Sequence, residues 1–399
     1  MRETTVLFIL FISMSAFGHA NNDTLIDLDG LLAEAIANNP ELSALMADYR
    51  AAGMRISALR YLADPMVSIE WQGGNRMYGI SQRLPFPTKI AAQAKVEAMT
   101  AEQDYLKYAN RLNSMILDVK TAYAQLYLSH RTADAAEKAV SFLKQVYDVT
   151  LSKYALGEAS QSEVLRAQIE LSKVENDRAA AKDDISLSEA ALNVLLHRHV
   201  DEPLGIPQEP MTLIGERDLV ELYAHADELE PMLKAYGVAY KKAAVMKSLA
   251  HQTYLPDFML GFSQTDGVMN DRKYMLGFTI PLWFMGKQRN LVREAEFGRQ
   301  MALANYEAVR NDVMLSVKRA KLQVDKKKRL VVLYRNSLLP QTEAALKSAL
   351  AEYGVGGVEF EHLLDTATLL VRIELEYHQA NADYFTAAAE LERAIGIVD

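Results

Sequence analysis

Few side chains in this 399-residue chain stand at spacings that could do covalent chemistry. No Ser/His/Asp order, HExxH or Gly-rich phosphate loop can be read from it, and the paired acids Asp183 and Asp184 fall on a helix surface, where charge is normally solvated. His197 and His199, in LLHRHVDE, are of a metal-binding type, but two imidazoles one residue apart make no ligand set. We therefore expect no enzyme activity, no metal site and no cofactor. Cysteine is absent, which removes disulfides, thiolate sites and cysteine-linked lipid. What remains is soft and aromatic. Six of the 17 methionines, Met66, Met77, Met259, Met269, Met275 and Met285, crowd into two short regions. Thioethers suit Cu(I) or Ag(I), although apolar filling is the commoner use of methionine. The same regions hold both tryptophans, Trp71 and Trp283, together with Tyr78 and Tyr274.

Those two regions read as strand hairpins at about 65–87 and 256–285. In the first, Val67, Ile69 and Trp71 alternate with Ser68, Glu70 and Gln72. In the second, Tyr274, Leu276, Phe278 and Ile280 alternate with Met275, Gly277 and Thr279. A half-buried soluble sheet alternates in this way, and so does a membrane strand. Aromatic residues near the strand ends and lengths of about nine to eleven residues favour the membrane. Four strands cannot close a barrel that needs at least about eight, so closure must be shared between subunits.

Long helices must carry these hairpins. Val313, Val317, Ala320, Val324, Val331, Tyr334 and Leu338 step as a coiled-coil seam, as do Ile116, Val119, Tyr123 and Leu126, and Val164, Ala167, Leu171 and Val174. Helices are expected at 27–63, 88–153 and 160–197, and again at 216–254, 287–352 and 359–396. At 1.5 Å per residue, about 65 residues span roughly 100 Å, far more than a globular domain needs. Pro340 falls inside the second of the long helices and reads as a kink.

The chain is written twice. Pro40 and Pro231 are 191 positions apart, as are Pro65 and Pro256; Pro85 and Pro281 are 196 apart; Tyr154 and Tyr353, like Leu165 and Leu364, are 199 apart. A first repeat is expected at 21–200, with its tip near 154–160. A Pro-rich linker follows at 201–215, then a second repeat at 216–399 with its tip near 353–359. Residues 1–20, with Arg2, an apolar stretch from Val6 to Gly18 and small residues Gly18 and Ala20, read as a secretory signal peptide. A formal net charge of −9 argues against nucleic-acid binding.

These pieces together resemble the TolC-like outer-membrane efflux proteins over nearly the whole mature length. The resemblance rests on NNPEL, YALGEASQSEVLRAQIEL, PLWFMGKQRNLVREAE, LLPQTEAAL and ADYFTAAAELERAIG, in that order. It implies a mainly α fold with a small β part, in which long coiled-coil helices form an α-barrel across the periplasm. Four strands per chain would enter a shared, homotrimeric, twelve-stranded β-barrel in outer-membrane lipid. It implies an exit duct of a tripartite system, with a periplasmic adaptor and an inner-membrane transporter as partners. It also places a periplasmic gate at Asp365, His362, Glu361 and Glu359, and adaptor docking at tips carrying Tyr154, Gly157, Tyr353 and Gly356. His362 departs from the family's pattern, in which an aspartate stands at that place. PFPTKI and ADPMVSI are similar to the heavy-metal branch of the family. A periplasmic coiled-coil scaffold or adaptor is the competing reading, and it lacks the duplicated helix-strand-strand-helix plan.

Overall fold

The computed structural model describes residues 25–59, 61–72, 75–210, 217–266, 271–354 and 357–397. The expected signal peptide and Gly356 lie outside the described residues. The first half runs β1 (Leu25–Ile26), α1 (Leu28–Asn38), α2 (Pro40–Ala58), β2 (Met66–Gln72), β3 (Asn75–Leu84), α3 (Pro87–Ala155) and α4 (Gln161–Leu196). After β4 (Ile206–Pro207) the second half runs α5 (Leu219–Leu229), α6 (Pro231–His251), β5 (Phe258–Asp266), β6 (Asp271–Phe278), α7 (Arg289–Leu333), α8 (Leu339–Gly354) and α9 (Phe360–Ile395).

Each expected incoming helix is in fact two. Proline disfavours helical backbone at the residue before it and is welcome at a helix start. Asn39 and Glu230 therefore leave the helix with extended backbone and become N-caps, accepting from the amides of Leu42 and Leu233. The long helices also differ from expectation. α3 runs unbroken for 69 residues, about 100 Å. Its counterpart is interrupted by a π-helical turn at Tyr334–Leu338, immediately before Pro340. The break that Pro340 signals is thus absorbed by widening one turn, after which helix resumes.

Strand and helix orders coincide. The four strands pair antiparallel in the order β2-β3-β5-β6, and α2, α3, α6 and α7 pack side by side in the corresponding order. Each strand is joined to its own helical column by a short connection. The joint is pinned between the halves: Lys89 Nζ lies 2.7 Å from Asp257 Oδ1 and donates to the Leu255 carbonyl, while the Phe86 amide donates to Asp257. The seams form the core. Ile116, Val119, Tyr123 and Leu126 of α3 pack with Leu31, Leu42, Leu192 and Leu196. Val317, Ala320 and Val324 of α7 pack with Leu222 of α5 and Leu391 of α9.

The second hairpin is shorter than its sequence pattern. Strand β6 ends at Phe278, and Pro281 to Trp283 lead into a π turn at Phe284–Gln288. Proline has no amide to give a ladder, so the alternation from Ile280 onward belongs to a turn. The strands hold 7, 10, 9 and 8 residues, so the two inner strands meet the expected nine to eleven and the two edge strands fall short of it.

Candidate membrane face and periplasmic tip

Register sorts the strands into two faces. Val67 pairs with Ile80, Ile80 with Phe262, and Phe262 with Tyr274, giving one continuous apolar row. Leu84, Phe258 and Phe278 form another, and Ile69 and Tyr78 a third. This face is open: Trp71 is 72% exposed, Leu276 72% and Tyr274 81%. A bare aromatic and aliphatic patch across four strands suits hydrocarbon rather than water. Trp71 stands at the hairpin-turn end of the sheet and Trp283 at the strand-to-helix end, with Tyr78 and Tyr274 deeper on the face. The opposite face carries Ser68, Gly79, Ser81, Gly261 and Ser263. Strands β2 and β6 each pair on one side only, so the sheet has two free edges. Among the described residues no helix is long and apolar enough to cross a membrane.

At the far end of the columns the two tips adjoin. Gly157, at φ +77°, turns α3 into α4, which opens with a capping box between Ser160 and Glu163. Tyr154 lies exposed on the last turn of α3. Beside it, Lys153 Nζ sits 4.0 Å over the ring of Tyr353, which packs against Phe360. Phe360 is buried with Val146 and Ala167, so a small core holds the two tips together. Arg166 adds a link to Glu361 at 3.1 Å.

The first turns of α9 are two-faced. Phe360, Leu363, Thr366 and Ala367 are buried, while Glu361, His362 and Asp365 are exposed on the other side. Glu359 is the N-cap residue, without a side-chain cap bond. Carboxylates gathered at a helix N-terminus are stabilised by its dipole, so the four expected gate residues do share one exposed end. Sequence spacing could not have found Lys153, Arg166 and Phe360, because their partners come from the other half of the chain.

The remaining sequence candidates are structural. His197 takes a left-handed conformation, φ 58°, as the C-cap of α4, and the Nδ1 of His199 accepts from the Asp201 amide. Among the described residues no group of three His, Asp or Glu converges as a metal site.

Residues 229–397 match the family model described as "Outer membrane efflux protein". The cobalt-zinc-cadmium resistance protein CzcC of Cupriavidus metallidurans is 23% identical over 379 residues, covering 92% of this chain and 83% of that protein. The outer membrane protein TolC of Vibrio cholerae is 21% identical over 310 residues, covering 74% and 70%. Among solved structures, CusC, described through its transmembrane channel formation, superposes with a TM-score of 0.80 at 17% identity, covering 93% of this chain and 92% of that one. Strand-to-column fold, exposed apolar sheet face, the family match over the second half and the relatives agree: this chain is an efflux channel of the outer membrane, similar to the TolC-like outer membrane efflux proteins, its helical part in the periplasm.

Proposed function

We propose that three copies close one duct, each chain giving four strands to a twelve-stranded barrel and four columns to a helical tube. The observation that carries this reading is the sheet with an exposed apolar face and two unpaired edges, continued without change of order by the helices. Unpaired strand edges cannot face lipid, so β6 of one copy must meet β2 of the next. The two halves of each chain, 21–200 and 216–399 with a linker at 201–215, act as repeats that alternate around the tube.

In this reading the duct is passive and accepts cargo from a periplasmic adaptor and an inner-membrane transporter. The adjoining tips at Tyr154, Gly157 and Tyr353 receive the adaptor, and Gly356 is assigned to the same docking region by sequence. Glu359, Glu361, His362 and Asp365 form the gate: three copies of this acidic helix start around an axis attract cations and repel one another. Heavy-metal cations are the proposed cargo, in keeping with the similarity to the cobalt-zinc-cadmium resistance protein. Reconstitution into planar bilayers tests the duct. Discrete, cation-selective openings that lose selectivity in Asp365→Asn are expected; a protein that leaves the bilayer silent contradicts the reading.

A further inference from the structure

The face of the sheet turned away from the apolar patch carries an unexpected residue type. All four methionines of the described strands, Met66, Met77, Met259 and Met275, lie on it. Their cross-strand neighbours are small, polar or charged: Met66 pairs with Ser81, Met77 with Glu70 and Thr265, Met259 with Arg83 and Gly277, and Met275 with Gly261. The apolar face, where an adaptable hydrophobic filler belongs, holds Val, Ile, Leu, Phe, Tyr and Trp but no methionine among its described residues. Filling therefore does not account for the segregation.

One of these side chains has room made for it. A Cβ at Gly261 would stand 2.9 Å from the terminal methyl of Met275, so the thioether arm lies across the space that glycine leaves. Met66 and Met275 also share one cross-strand row, through Ser81 and Gly261, at opposite free edges of the sheet. They stay open, 64% and 52% exposed. Closing a barrel from copies brings β6 of one chain to β2 of the next. Each seam then carries edge methionines from two chains.

We infer that the polar inner wall of the barrel is a thioether contact surface for soft monovalent metal cations, Cu(I) or Ag(I), centred on Met66 and Met275 at the subunit seams. The inference rests on the duct reading above and narrows its cargo to ions that thioethers prefer over borderline divalent ones. Wild-type single-channel current in a nitrate electrolyte would be titrated with silver nitrate, beside a variant carrying Met66→Leu, Met77→Leu, Met259→Leu and Met275→Leu. Silver should block the wild type, with the midpoint moved about tenfold or more to higher silver in the variant. Silver-free conductance should be the same in both. Equal silver sensitivity in the two open channels overturns the thioether surface and leaves the duct standing; absence of any channel from the wild type removes the duct and this inference with it. Should the variant fail to assemble, the wild type answers by itself. Silver should then slow sulfoxide formation at Met66 and Met275 under peroxide, read by peptide mass, and oxidation indifferent to silver overturns the proposal.

Discussion

The two halves solve the same problem with different tolerances. In the first, α3 is one uninterrupted helix of 69 residues. In the second, the same run is α7, a π turn and α8, with another π turn at Phe284–Gln288 ahead of it. The spacing between equivalent residues grows from 196 at Pro281 to 199 at Tyr353, so the second half must house extra residues without losing its seam. A π turn accommodates an added residue in a helix and lets the apolar stripe stay in register. Duplicated architecture here needs equal faces and does not need equal helices.

The helix ends make the sharper contrast. α4 closes on His197 at φ 58° and α9 on Gly396 at φ 74°, again 199 positions apart. His197 is exposed. Gly396 is jammed: a Cβ there would fall 2.6 Å from Glu230 Cα and 2.7 Å from its amide nitrogen. Gly396→Ala should therefore cost roughly 3 kcal/mol or more, from left-handed strain plus a backbone clash. His197→Gly should change stability by about 1 kcal/mol or less. Thermal unfolding of both variants checks the pair; equal effects would break the contrast.

Proline placement probes the long helices in the same way. Ser141 lies 199 positions before Pro340, on an exposed face of α3. Ser141→Pro should cost about 3 kcal/mol, by removing a helical bond and clashing with the preceding turn. Pro340→Ala should cost no more than about 1 kcal/mol, the entropy proline takes from the unfolded chain, because the π turn has already given up regular pairing there. Denaturant midpoints would separate the two, and a damaging Pro340→Ala would mean that proline holds the π turn in a required shape.

Contacts between the halves come next in size. Lys120 of α3 meets Glu392 of α9 at 2.6 Å, with both side chains mostly covered. Lys120→Met should cost about 1–2 kcal/mol, since it strands a half-buried carboxylate. By comparison, Lys321→Met, which breaks the Lys321–Asp325 pair within α7, should cost under about 0.5 kcal/mol. Chemical denaturation of the two variants measures the difference.

The smallest expected effect is a pH dependence at the middle of α3. Burial pushes His130 and His378 below the usual histidine value of 6.5, and Tyr127 shares a 3.0 Å hydrogen bond with His378. A histidine that is harder to protonate when folded contributes stability in full above its unfolded value, and that contribution is lost as pH falls from about 6.5 downward. Melting temperature should decline through that window, and His378→Gln should flatten the decline; an unchanged slope in the variant would place the sensitivity elsewhere.

Much of this could be read from residues. Alternation gave the strand faces, because one face of each strand meets a single environment, and the valine, alanine and leucine seams gave the helices. The end of β6 was misread because Ile280, Leu282 and Phe284 keep the alternation going past a proline that cannot pair. The splits before Pro40 and Pro231 were marked by proline itself and hidden by apolar periodicity on both sides. The π turns have no composition of their own. The tip links, such as Lys153 over Tyr353 and Arg166 to Glu361, join residues about 200 positions apart, and only folding brings them together. The acidic face of α9 was legible as a cluster, since its members stand three and four apart on one helix.

The most direct test of a shared duct is the native mass of detergent-extracted protein from the outer-membrane fraction. Three copies of the processed chain held in one particle are the expected result. A single chain, released with the soluble periplasmic fraction, would contradict it, because four strands with two free edges cannot stand in lipid unaided.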